Sequence, residues 1–139
     1  MKPYNRVIHT AESDKKYKGI VAAYMRYSSD NQDEHTIEYQ RDAIVAYCQK
    51  EELFLCAEYW DEACTGTNDR RSSFRKMIAD AHNAPLWDTI LVFDYSRWFR
   101  DSNNSTLYEC QLFSLGIDVF SITEQFDTSS EGMLMRDIK

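Results

Sequence analysis

Glycine and proline are scarce in this chain, with four and two among 139 residues, which leaves little room for flexible linkers. A chain of this length is expected to form one domain with a sizeable core. No run approaches the length of a membrane-spanning helix, and the polar opening MKPYNRVIHTAESDKKYKG lacks the apolar centre of a signal peptide. A cytoplasmic protein with no membrane partner is expected. The four cysteines, Cys48, Cys56, Cys64 and Cys110, include no CxxC pair, so buried free thiols are expected rather than a zinc site or a disulfide framework. Neither a GxxxxGK[ST] phosphate loop nor an HExxH helix occurs, which disfavours a nucleotide hydrolase or a zinc peptidase. Positive charge is also in deficit: the formal net charge is -7 and the pI about 4.9. Domains that grip DNA unaided are usually basic, because neutralising phosphates supplies much of the affinity. Tight DNA binding by this chain alone is therefore disfavoured, although net charge does not say where the arginines meet.

What is present reads as an ordinary soluble domain, 43% hydrophobic and 28% charged. Residues 1–17 are polar and aperiodic and are expected to be a mobile leader. From Gly19, GIVAAYMRY has the nearly continuous apolar character of a central strand covered on both faces. A polar loop follows, then a helix from Thr36 to about Lys50 whose stripe holds Ile37, Ile44, Val45 and Cys48. Leu53 to Trp60 is a second strand, and DEACTGTNDRR a polar loop. Phe74, Met77, Ile78 and Ala81 mark the buried face of a second helix. Thr89 to Tyr95 reads as a third strand. Asp101 or Ser102 is placed to cap a third helix running to about Leu115, with Gly116 as its terminator. IDVFSIT supplies a fourth strand, and Met133, Leu134 and Ile138 are spaced for one face of a further helix. This alternation predicts an α/β domain with a mostly parallel sheet of about four to five strands and helices on both faces.

Reactive groups in such sheets gather at the carboxyl ends of the strands. Here those ends carry Arg26 and Ser28, the Asp61 to Arg71 loop, and the stretch Ser96 to Arg100. Attack on a phosphodiester needs a placed nucleophile and fixed donors for the charge that builds on the non-bridging oxygens. Arginine suits the second task, since its planar fork stays charged and donates two hydrogen bonds to one phosphate. Arg26 and Ser28 are two apart and share a side if the strand persists that far. Arg97 and Arg100 are three apart and share a face once the chain turns helical. Each feature also has a bland reading: a serine pair after a strand is usually a turn or a cap, and arginines are usually solvated. His9, His35 and His82 share no motif. On residues alone the reading stops at a phosphate-binding α/β domain.

The ordered motifs go further. YMRYSSDNQ resembles the Y-x-R-x-S-[ST] opening of the resolvase/invertase serine recombinases, and TIEYQRDAI their S-I-x-x-Q helix start. DEACTGTNDRRSSF is similar to their D-E-x-x-S-G-T-x-x-x-R-x-x-F loop, SRWFRD to [DS]-R-x-x-R, and SITEQFDTSSEGMLM to T-E-x-x-D-T-s-x-x-G-x-L-M. In order and spacing the set runs from Gly19 to the end of the chain. The resemblance implies a three-layer resolvase-like catalytic domain over residues 18–139, ending near the start of a dimerisation helix. It implies Ser28 as nucleophile, with Arg26, Arg71, Arg97 and Arg100 on the phosphate and Gln32, Gln40 and Thr65 in support. Many members carry aspartate where this chain has Ser96, so the role of that aspartate is either dispensable here or taken by another group; Asp94, two residues back, is spaced to share a strand face with Ser96 and is the candidate. The S-I-x-x-Q form is closer to the large recombinases of mobile elements, which continue into further DNA-binding domains, and the acidic balance fits a catalytic domain without them.

The implied reaction is transesterification without metal or cofactor, through a 5′-phosphoserine ester. Its partners are double-stranded recombination sites and further copies of the protein, as a dimer and then a synaptic tetramer. The isolated domain is expected to be weakly active or inactive. Two alternatives stay open on the sequence: an arginine-assisted phosphodiester hydrolase, and a resolvase-like oligomerisation module that no longer cuts.

Overall fold

The computed structural model describes residues 4–11, 15–27, 35–62, 71–83, 86–98 and 102–123. The elements are β1 (Asn5–Ile8), β2 (Gly19–Arg26), α1 (Ile37–Glu51), β3 (Leu53–Asp61), α2 (Ser72–Asn83), β4 (Thr89–Val92), one turn of 3-10 helix (Tyr95–Arg97), α3 (Ser102–Ser114) and β5 (Asp118–Ser121). The sheet has the order β1-β3-β2-β4-β5. Strands β3, β2, β4 and β5 are mutually parallel, and β1 alone runs antiparallel, against β3.

Alternation along β2 divides the core. Val21, Ala23 and Met25 face one side, where Ile44 and Cys48 of α1 pack on them with Leu91. Ala22 and Tyr24 face the other, against Phe74, Met77, Ile78 and Ala81 of α2 and Leu112 of α3. Successive strand residues point to opposite faces, so this unbroken apolar strand feeds two layers at once, and the domain has helices on both sides of the sheet. At Cys56 the β2–β3 register slips by one residue. The bulge resets the alternation of β3, and the buried Glu58 then meets Arg41 of α1.

Helix ends follow local chemistry. The Thr36 side chain accepts the Tyr39 amide at the start of α1, and Glu52 closes it in the left-handed conformation, its amide donating to Cys48 and Gln49. Gly116, at φ +79°, ends α3 in a conformation that glycine adopts without strain.

Several expectations are corrected. The leader over residues 1–17 is not uniformly without structure, because Asn5–Ile8 forms β1 on the edge of β3. The third strand stops at Val92 rather than Tyr95, since the Asp94 carboxylate accepts the Ser96 amide and turns the chain into the 3-10 helix. Cys48 and Cys56 are buried free thiols, but Cys110 is exposed on α3; Cys64 lies outside the described residues. So does the helix expected around Met133, Leu134 and Ile138.

Candidate functional site

The parallel strands deliver their carboxyl ends to one edge, where three of the four expected arginines meet. Arg26 ends β2, Arg97 ends the 3-10 turn after β4, and Arg71 immediately precedes α2. Each donates to a main-chain carbonyl near another: Arg26 Nη2 to Ser96 O at 2.9 Å, Arg97 Nη1 to Arg26 O at 3.1 Å, and Arg71 Nη2 to Arg97 O at 3.3 Å. Arg26 and Arg97 are both buried. Carbonyl acceptors hold the guanidinium planes in place without cancelling their charge.

The frame around them is built from polar groups taken out of water. Gln40, on α1, is wholly buried. Its Nε2 donates to Arg26 O at 2.9 Å and to His35 O at 2.8 Å, while its Oε1 accepts the Arg26 amide at 3.3 Å. One side chain thus fixes both main-chain groups of the first arginine. Asp94 accepts from the Ser96 amide at 3.0 Å and from the Ser96 hydroxyl, and lies 3.5 Å from Arg97 Nε. Their spacing predicts a shared strand face, and the structure corrects this: β4 ends at Val92, and Asp94 caps the 3-10 turn that holds Ser96.

Arg71 has its own support. Its Cζ stands 4.0 Å from the centre of the Phe74 ring, a cation–π contact, and its Nε donates to the Tyr24 hydroxyl at 3.2 Å. That hydroxyl donates to Asp61 Oδ2 at 2.8 Å, and the same carboxylate accepts the amides of Ser73 and Phe74 at the head of α2. Burial, reinforced by the Asp61 charge and opposed by Arg71, pushes the Tyr24 hydroxyl well above its ordinary range, so it stays protonated and keeps donating. Arg71 sits at φ +41°, in the left-handed region that costs a non-glycine residue about 1–2 kcal/mol. Its neighbours must supply that energy.

The sequence pattern assigns no role to Tyr24 and Asp61, although they open the YMRYSSDNQ and DEACTGTNDRRSSF motifs. The signal was there: a hydroxyl in an apolar strand, on the same face as Arg26, needs a buried partner. Of the expected site residues, Arg26, Gln40, Arg71, Asp94, Ser96 and Arg97 come together. Ser28, Gln32, Thr65 and Arg100 lie outside the described residues. Among the described residues no group of three or more His, Cys, Asp or Glu side chains is arranged to hold a metal ion, and no helix is long and apolar enough to cross a membrane.

The family model of the resolvase N-terminal domain matches residues 21–139. The chain belongs to this family. Solved structures of an integrase and of site-specific recombinases have a similar fold. The N-terminal catalytic domain of TP901-1 integrase is similar at 27% identity and a TM-score of 0.70, over 86% of this chain and 89% of that one. A resolvase family site-specific recombinase from Streptococcus pneumoniae shares the fold at 21% identity and a TM-score of 0.71, over 86% and 82%. The C-terminal catalytic domain of ISC1926 TnpA, an IS607-like serine recombinase, does so at 18% identity and 0.62, over 84% and 76%. No curated protein matches the sequence.

Proposed function

We propose that this resolvase-family chain is the catalytic domain of a site-specific DNA recombinase that breaks and rejoins duplex DNA through Ser28. The observation that carries the reading is the meeting of Arg26, Arg71 and Arg97 at the edge where β2 ends, two residues before Ser28. Tyr27 continues the chain from that edge, its amide donating to Asp61 O at 3.1 Å.

In the proposed step the Ser28 oxygen attacks phosphorus. The bond from phosphorus to the 3′ oxygen breaks, the serine proton leaves, and the departing oxygen takes up a proton. The products are a 5′-phosphoserine ester and a 3′-hydroxyl. The ester keeps the energy of the broken bond, so religation reverses the step without a nucleotide. Arg26, Arg71, Arg97 and Arg100 bind the non-bridging oxygens, where the added charge appears. Gln40 keeps Arg26 in place, and Gln32 and Thr65 support the loops around the phosphate. Asp94, through Ser96 and Arg97, stands in for the carboxylate that many members of the family carry at Ser96. Strand exchange takes place between copies of the protein assembled on paired sites.

Paired recombination-site DNA incubated with the full recombinase tests this. Ser28→Ala is expected to abolish the covalent protein–DNA adduct on a denaturing gel, and Asp94→Asn to slow its formation. An adduct surviving Ser28→Ala refutes the nucleophile, and an Asp94→Asn protein as fast as the parent removes the role of Asp94. Hydrolysed ends without recombinants would favour a hydrolase, and intact DNA a module that no longer cuts.

A further inference from the structure

A continuous hydrogen-bond path runs from the amino-terminal strand to the Arg71 guanidinium. The main-chain amide of Asn5, the first residue of β1, donates to Ser73 Oγ at 2.7 Å. Ser73 is wholly buried in the first turn of α2, and its own amide donates to Asp61 Oδ1 at 2.9 Å. Asp61 in turn accepts from Tyr24, whose hydroxyl accepts from Arg71. β1 grips the same helix a second time two turns on, where Arg6 Nη1 meets Asp80 Oδ2 at 2.9 Å. The family match begins at residue 21, so β1 lies outside it.

We propose that β1 is a positioning element for Arg71, acting through the Asn5 amide and Ser73 to fix the first turn of α2. The proposal rests on the reading of Arg71 as a phosphate-binding group. Two features carry it. A strand that only covered the sheet edge would have no need to aim its first amide at a helix; the Asn5 amide leaves the sheet and reaches α2, while the Asn5 side chain donates to Trp60 O. Arg71, two residues before Ser73, holds a left-handed backbone, and a conformation of that kind persists only where its surroundings over-determine it. The first turn of α2 is the surrounding that follows it in the chain, and β1 and Asp61 both fasten that turn at Ser73, through its hydroxyl and its amide.

Substitutions in the full recombinase test the idea through the single-turnover rate of adduct formation at saturating DNA, alongside DNA affinity and Tm. Asn5→Pro deletes the donor on an exposed edge strand, where proline is tolerated; Ser73→Ala deletes the acceptor. Each is expected to slow adduct formation about fivefold, the scale of one lost hydrogen bond, with DNA affinity unchanged. The double variant is expected to be no slower than the slower single one. His9→Ala removes a fastening of the same segment on the far face, to Glu58, and is expected to lower Tm without slowing the reaction. Parental rates for Asn5→Pro and Ser73→Ala would overturn the proposal, as would a loss of rate in His9→Ala that tracks Tm. Arg71→Ala separates this failure from a deeper one. If it forms no adduct while the other two react at the parental rate, only the role of β1 falls; if it reacts fully, the reading of Arg71 falls as well.

Discussion

With no exposure to water, the Gln40 side chain depends on protein partners for all of its hydrogen bonds. Both amide hydrogens and the oxygen are engaged, two of the three with the main chain of Arg26. Removing such a group leaves buried donors and acceptors unpaired, which costs about 1–3 kcal/mol. Gln40→Ala is therefore expected to lower stability by about 2 kcal/mol, read as a fall in the urea midpoint with an unchanged slope. Gln40→Glu is expected to lower stability at least as much, because a buried carboxylate still accepts the Arg26 amide but sets its charge against Arg26 O and His35 O, to which it cannot donate. The contrast with Ser96 is instructive. Ser96 is exposed, and its bonds to Asp94 order a turn whose polar groups water would otherwise satisfy, so its contribution to stability is small.

Among the elements, β1 and α2 are joined by a charge cluster. Asp80 accepts from Arg6, from Lys76 at 3.1 Å and from the Tyr59 hydroxyl at 2.6 Å. Burial works to raise the Asp80 carboxyl, but these partners outweigh it and hold the group below its ordinary range. A carboxyl depressed in the folded state adds stability above its unfolded pKa and loses it as pH falls through the folded value. The Asp80 contribution is therefore full at neutral pH and disappears on acidification below about pH 4. Asp80→Asn is expected to lower stability at pH 7 by about 1–2 kcal/mol and to flatten the acid limb of a plot of unfolding free energy against pH. This fastening also explains why β1 was illegible in the sequence. NRVI has neither the length nor the alternation of a strand; its register comes from β3, and its hold on α2 comes from Asp80 and Ser73, seven decades of residues away. The β2, α1, β3 and α2 segments were legible because each buries an apolar stripe of the right period. β4 was overread for a local reason. TILVFDY is apolar enough for a longer strand, but the Asp94 carboxylate offers Ser96 a cap and the chain turns. The sequence pattern picks out Arg26, Arg71 and Arg97 as neighbours, and they do lie together; their lattice of carbonyl acceptors is not legible, since main-chain acceptors leave no mark in residue identity.

At the scale of the molecule, charge and site pull in opposite directions. The chain carries a formal net charge of -7, while one edge gathers three guanidinium groups. Duplex DNA is expected to bind the isolated 139-residue chain weakly, with affinity falling further as salt rises. Titration of a fluorescent duplex at two ionic strengths measures this, and tight binding that salt does not weaken would contradict it. Among the described residues the sheet ends on short strands at both sides, β1 and β5, each of four residues. Without β1, the nine residues of β3 would present a long row of open amides and carbonyls to solvent. Such a row is a template on which a stranger's strand can grow, the first step toward aggregates. β1, tied down at both ends, covers Ala57 to Trp60 of that row and so shortens the template open to a stranger's strand.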